Sequence, residues 1–400
     1  MTVADVLAAD AVSALDQARD PYPLYAWLRE HAPVHEAEPG VFLLTRYADC
    51  RTVLTDARGY DAPGRDRSAG AKGPAAVLAG VMSGQRGERH RRMRGAVNAP
   101  WSAAARRIMA ELPALCDDVL RPATDRLADG ETVDLHEYAV ALPVDTILLL
   151  LGLPLEDRDF VRTVVPAIFQ VSGPAPGSRE PGDPDAAMRQ LVSYLRGHVQ
   201  ERIAAPRDDI ISQLAASHRD HPELLDDTEL TSILVGLMVA GFPQIAAGIE
   251  TALVLLLRDE RRRLSLREDP ARFVDEVLRF DTPVQTPPFP RIPTRNVVLG
   301  DVEIPAGSVL WPLLGAANRD PAQFTAPDEF DPYRDPLTPL SFGGGIHHCL
   351  GARLACLEIG TVLRRLSDRN GTLVLAGEPS QRIGRLRGFT SVPVRLERGA

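Results

Sequence analysis

Leu340-Ser341-Phe342-Gly343-Gly344-Gly345-Ile346-His347-His348-Cys349-Leu350-Gly351 is the stretch on which the reading of the chain depends. It carries one cysteine at the end of a glycine-rich loop, directly ahead of Ala352-Arg353-Leu354-Ala355-Cys356-Leu357-Glu358-Ile359-Gly360, whose apolar spacing predicts an amphipathic helix. A cysteine at a helix N-terminus has its thiolate favoured by the helix dipole and by the free N–H groups of the first turn. Such a thiolate is a strong metal ligand, and the glycines let the backbone lie close against something broad and planar. The plain alternative is a small apolar Cys349 packed beside an ordinary turn.

The spacing Phe342-x-x-Gly345-x-His347-x-Cys349-x-Gly351 fixes five positions within ten residues, which is far more restrictive than a lone glycine motif. It resembles the haem-binding signature of the cytochrome P-450 monooxygenases in their soluble bacterial form. The resemblance implies a mainly α fold with a smaller β region, a triangular helical prism around a buried haem b. Cys349 would be the axial iron ligand, whose electron donation favours O–O cleavage. Phe342, Gly345 and Gly351 would shape the cofactor loop, and His347 would contact a haem propionate.

Three further motifs stand in the family's order. His90 and Arg94, at i and i+4 within Arg86–Arg94, share a helical face; on its own a basic face is usually just solvated, but here the pair resembles the family's His-x-x-x-Arg contact to a propionate. The preceding Ser83-Gly84-Gln85 departs from the usual Asp-Pro-Pro, and Arg86–Arg94 is implied as a docking face for an acidic redox partner. Glu276 and Arg279 stand at i and i+3. Exposed, such a pair would be worth tenths of a kcal/mol; in the family it is buried and completed by a second arginine, here Arg334 in Phe330–Arg334, as a structural triad. The prolines of Pro283–Pro290 extend the chain toward Arg291, the implied second propionate partner.

The long apolar segment Ile233–Leu257 contains the main departure. Ala240-Gly241-Phe242-Pro243-Gln244 stands where the family reads Ala-Gly-x-Glu/Asp-Thr, the acid–alcohol pair that relays protons for oxygen activation. At the catalytic positions Gly241, Pro243 and Gln244, proline carries no proton, removes a helix hydrogen bond and clashes with the carbonyl of Val239. A locally opened helix is therefore expected, and Gln244 can donate a hydrogen bond but is a poor acid. In the other register Glu250-Thr251 would be the pair. The resemblance further implies a substrate pocket lined by Met82, Met238, Phe242, Val284, Thr286 and Phe389, with Gln285 also facing inward, Gly388-Phe389-Thr390 forming a turn whose tip enters it, and Ala167–Gly177 acting as a lid.

Composition bounds the rest. Four hundred residues with 44% hydrophobic content can bury a large core, and no linker or repeat divides them, so a single domain over residues 1–400 is expected. The net charge of −9 argues against a nucleic-acid binder. Lys72 is the only lysine among 45 basic residues, a bias typical of GC-rich bacterial genomes. The four cysteines form no C-x-x-C pair, which points to a reducing cytoplasm. No signal-peptide pattern opens the chain, and Pro243, Gln244 and Glu250 interrupt the apolar segment, so no membrane span is expected. Helices are expected over Ala103–Leu127, Leu142–Leu151, Asp157–Gln170, Asp185–Ala205 and Asp208–Ser217, and short strands at Val41–Thr45, Val297–Leu299, Val302–Ile304 and Val309–Leu314.

By resemblance, then, the chain is a cytoplasmic, monomeric haem monooxygenase oxidising a small organic molecule, free or carrier-protein-bound, in bacterial natural-product or antibiotic biosynthesis. Electrons would come from a ferredoxin and ferredoxin reductase, with no bound flavin. Atypical oxidation such as aromatic coupling, and a haem protein that binds a ligand without turnover, are the alternatives.

Overall fold

The computed structural model describes residues 18–63, 74–169, 183–223, 225–367, 371–384 and 386–397. The chain forms two compact units: Met1–Asp61, Cys116–Ala139 and Gln244–Ala400 make the first, and Ala62–Leu115 and Val140–Pro243 the second. The lid segment Ala167–Gly177 falls mostly outside the described residues.

The first unit joins short sheets to helices. Val41–Leu44 pairs antiparallel with Val34–Glu38 and parallel with Val309–Pro312, with Phe42 opposite Leu310. Phe42, Leu43 and Leu44 are all buried, as a continuous apolar run in a central strand requires. Leu44, Leu54, Leu310 and Leu340 belong to one buried cluster, and that cluster carries the loop of Cys349. The strands Val297–Leu299 and Val302–Ile304 form the expected hairpin. The expected Val309–Leu314 strand stops at Pro312, and Leu314–Ala317 is a helical turn.

The second unit is helical: Arg158–Phe169, Pro184–Ala204, Ile210–Asp220 and Asp227–Ala240, with the parts of Gly87–Ala128 and His136–Leu151 that fall within it. Local chemistry sets the helix starts. Asp183 accepts the N–H groups of Asp185 and Ala186 with Pro184 in the first turn, and Asp226 with Glu229 forms a capping box. Asp209 caps Ile210–Asp220 through Ser212 and also holds the buried Arg202, Nε to Oδ2 2.6 Å. Pro74–Gly80 is a short helix.

Asp227–Arg258 is long and apolar enough to cross a bilayer, yet 67% of its most apolar window is buried inside the protein, as befits a core helix. It is not continuous. Asp227–Ala240 ends, Gly241 and Phe242 form a bend, and Pro243–Arg258 begins anew. The expected clash between Pro243 and the Val239 carbonyl is thus relieved by a complete break: Pro243 occupies a first helical position, where its missing N–H costs nothing, as Pro184 and Pro270 do.

Candidate functional site

The cysteine loop is held from below by hydrogen bonds. The Asn318 side chain, fully buried, accepts the Leu340 N–H at 2.7 Å and donates to Ser341 Oγ at 2.9 Å; Ser341 Oγ donates to the Leu278 carbonyl at 2.7 Å. Within the loop the Cys349 N–H donates to Phe342 O at 3.0 Å and the His348 N–H to Gly345 O at 3.1 Å. Gly343 and Gly345 have φ of +68° and +60°. The glycines also serve a purpose the sequence did not disclose: a Cβ on Gly345 would lie 2.8 Å from Leu54 O, and one on Gly344 3.0 Å from Thr55 Cγ2. Part of the glycine requirement is therefore close approach to the end of helix Tyr47–Thr55, while Gly343 faces open space, with His347 O 4.0 Å away.

Cys349 lies three residues before helix Ala352–Ser367 and is exposed, whereas Cys50 and Cys116 are buried and Cys356 is partly so. Burial pushes the Cys356 thiol up to about 12 and that of Cys50 well above its usual value. Of the four, Cys349 alone is presented for ligation.

Arg291 joins Leu310 in an isolated β-bridge, so it stands on the same cluster as the loop. It is 5% exposed, and among the described residues its Nη1 donates only to the carbonyls of Phe289 and Pro290. Burial pushes its guanidinium down to about 10, and no charged neighbour among the described residues offsets that. A buried cation without an anion is costly. The site therefore suits a bound anionic group.

Glu276, Arg279 and Arg334 do meet. Arg279 is bidentate on Glu276 at 2.6 and 2.8 Å, Arg334 Nε lies 3.2 Å from Oε2, and the Asp331 N–H donates to Oε1 at 2.8 Å. Both Glu276 and Arg279 are fully buried. Ser341 bonds Leu278 in the same helix, Pro270–Phe280, so this triad underpins the loop.

At the helix break, Gln244 Oε1 is buried with no hydrogen-bond partner among the described residues. Gly241 is required there, since a Cβ would meet Ile147 Cγ1 at 2.5 Å and Leu237 O at 2.8 Å. Glu250, the acid of the alternative register, is committed elsewhere: His136 Nδ1 lies 2.8 Å from Oε1, and the Phe389 N–H donates to Oε2 at 2.7 Å.

His90 is buried and Arg94 partly buried on helix Gly87–Ala128 of the second unit. Several arginines of the basic strip around them take carboxylate partners within the same unit. Arg89 Nε and Arg92 Nη2 lie 3.1 and 2.8 Å from Oε1 of the buried Glu229, and Arg91 pairs with Glu88. Met82 is partly buried in a 3-10 turn, and Met238 and Phe242 are buried. In the first unit Val284 and Thr286 are partly buried. Gln285 does not face inward with them: Tyr25 Oη donates to its Oε1 at 2.9 Å and its Nε2 donates to Thr282 O at 2.6 Å. Phe389 is not in a turn but opens strand Phe389–Ser391. No cluster of three or more His, Cys, Asp or Glu side chains that could hold a metal ion exists among the described residues. An exposed cysteine just before a helix, with a buried arginine that has no charged partner among the described residues, fits a thiolate-ligated haem carrying propionates.

This is the arrangement of a haem-thiolate protein. The family model for cytochrome P-450 matches residues 271–367, which hold the triad and the cysteine loop. Cytochrome P-450 BJ-3 of Bradyrhizobium diazoefficiens is 37% identical, over 94% of this chain and 93% of the relative. Mycinamicin IV hydroxylase/epoxidase of Micromonospora griseorubida is 33% identical over 86% and 87%. Among solved structures, P-450BioI in complex with an acyl carrier protein ligated to hexadec-9Z-enoic acid superposes with a TM-score of 0.84 at 28% identity, covering 95% of this chain and 99% of that one. The chain belongs to the cytochrome P-450 family, with the family's fold and its haem-thiolate iron.

Proposed function

We propose that this chain is a single-domain, cytoplasmic monooxygenase that oxidises a small organic substrate in a tailoring step of bacterial natural-product biosynthesis. The observations that carry the site assignment are the exposed Cys349 just ahead of helix Ala352–Ser367 and the buried Arg291, which has no charged neighbour among the described residues. Cys349 Sγ would hold the iron, and Arg291, His347, His90 and Arg94 the propionates. When bound, the haem supplies oxygen activation, with electrons delivered by a ferredoxin and its reductase. The tailoring role is supported by the hydroxylase/epoxidase relative, and a carrier-bound substrate by the acyl-carrier complex of the structural neighbour.

The chain's own contribution to proton supply centres on the helix break. No carboxylate or hydroxyl stands at residues 243 and 244. Gln244 Oε1 is a buried acceptor that suits a water molecule or a substrate hydroxyl, and either would hold the proton that an acid side chain holds elsewhere. Gln244→Ala is then expected to lower product yield only severalfold. A loss of about a hundredfold, the scale of general acid catalysis, would make Gln244 itself the relay.

The haem assignment is tested by spectroscopy. Reduced protein with carbon monoxide should show the red-shifted Soret band of thiolate ligation, lost in Cys349→Ser and kept in Cys356→Ser. A band that survives Cys349→Ser refutes the ligand assignment. Reductant consumption that depends on added substrate separates an enzyme from a haem protein that only binds.

A further inference from the structure

Glu250 is fully buried in helix Pro243–Arg258, where a carboxylate persists only if it is paired. Its partners converge on one residue. Oε2 accepts the Phe389 N–H at 2.7 Å, and Oε1 lies 3.5 Å from Arg382 Nη2, which in turn donates to the Phe389 carbonyl at 3.3 Å. Both backbone polar groups of Phe389 are thus held by a single acid–base pair. His136 Nδ1, 2.8 Å from Oε1, completes the carboxylate's shell. The His136 backbone N–H donates to Asp134 Oδ1 at 3.0 Å, and the same oxygen accepts the Val392 N–H at 2.7 Å, three residues beyond Phe389.

The local sheet cannot place this segment. Among the described residues, Phe389–Ser391 pairs only with the two-residue strand Ser380–Gln381, and its register slips. Gly388 lets the segment press onto the helix, since a Cβ there would lie 2.6 Å from Glu250 Oε2 and 2.9 Å from Ala247 Cβ. The Phe389 ring is consequently buried at a depth set by side chains from a distant helix.

We propose that Glu250 and Arg382 are positioning residues that fix Phe389 as a wall of the substrate site, and so set which ligands the enzyme accepts without touching them. The proposal rests on Phe389 lining that site. A wall displaced by about 1 Å changes which ligands seat productively, so the pair acts on selectivity rather than on haem ligation.

The test uses haem-loaded protein titrated with imidazole and with 4-phenylimidazole, read as the Soret shift of nitrogen ligation. The quantity compared is the ratio of the two dissociation constants for wild type, Phe389→Ala, Arg382→Met, Glu250→Gln and the double change Arg382→Met with Phe389→Ala. General loosening weakens both azoles alike and leaves the ratio alone. Phe389→Ala and Arg382→Met should each move the ratio about tenfold, the scale of a small change in an apolar pocket. The double change should go no further than Phe389→Ala, because both act through one ring. If Phe389→Ala moves the ratio and the Arg382 and Glu250 variants do not, the positioning pair is refuted while the wall stands. If Phe389→Ala itself has no effect, the pocket reading fails and takes the proposal with it. Should Glu250→Gln not load haem, Arg382→Met decides the matter alone, since that side chain is 26% exposed and Glu250 keeps the Phe389 N–H and His136. Absence of any azole-induced shift in wild type overturns the haem reading instead.

Discussion

Replacing Glu276 by alanine removes the acceptor of four N–H groups at once: Arg279 Nε and Nη2 at 2.6 and 2.8 Å, Arg334 Nε at 3.2 Å and the Asp331 backbone at 2.8 Å. Arg279 keeps its bonds to the carbonyls of Asn318, Pro327 and Glu329, at 2.8, 2.9 and 3.1 Å. Its charge is nevertheless left in a fully buried site. Breaking a buried pair from one side costs about 3–5 kcal/mol, against a total folding stability of about 5–15 kcal/mol. With a urea slope of about 3 kcal/mol/M, the unfolding midpoint should fall by about 1 M or more. The assay is urea unfolding followed by circular dichroism, with haem content measured on the same samples. Adding Arg279→Leu should recover part of the loss, because an apolar side chain removes the orphaned charge. A midpoint within about 0.2 M of wild type, less than 1 kcal/mol on that slope, would refute the reasoning, as would a double change worse than the single one.

Three further outcomes follow from the same geometry. Arg291→Leu should weaken haem retention by about tenfold or more, the worth of one charge-assisted bond, while leaving the haem-free protein as stable or more so; unchanged retention on gel filtration would remove Arg291 from the propionate site. Gly345→Ala should destabilise by about 1 kcal/mol more than Gly343→Ala, since both require positive φ but only Gly345 abuts Leu54 O at 2.8 Å; equal thermal shifts would contradict this. Asp134 is raised by its desolvation, but hydrogen bonds from Ser391, Val392 and His136 outweigh that and hold its carboxyl below the usual 3.8. Its stabilisation is present above that value and is lost as pH falls through the depressed one. The stability gap between wild type and Asp134→Asn, measured by urea unfolding, should therefore be constant near neutrality and shrink below pH 3.8; a gap that widens on acidification would reverse the assignment.

The Gly241–Pro243 break shows where local reading stopped short. Proline at a first helical position was a legible signal, repeated at Pro184 and Pro270. The unbroken apolar run on both sides argued for one helix with a local opening, and the bend at Gly241 and Phe242 resolves that conflict. Asn318 takes its role under Leu340 and Ser341 from residues more than twenty positions away, beyond the reach of local sequence patterns.

By itself the sequence determined the features that short-range chemistry controls: the glycine loop and Cys349 ahead of a helix, the Glu276–Arg279 spacing on one helical face, the short strands with their turns, and a proline and a glutamine, with no carboxylate or hydroxyl, at residues 243 and 244. These depend on backbone preferences and helical periodicity, which operate over a few residues. Only the tertiary structure decided which partners the long-range side chains take. Arg89 and Arg92 turn to Glu229, Gln285 turns to Tyr25, and Glu250 reaches Phe389 and Arg382. A buried polar group must satisfy its hydrogen bonds with whatever the packing brings alongside, and for these residues those neighbours come from segments far away in the chain.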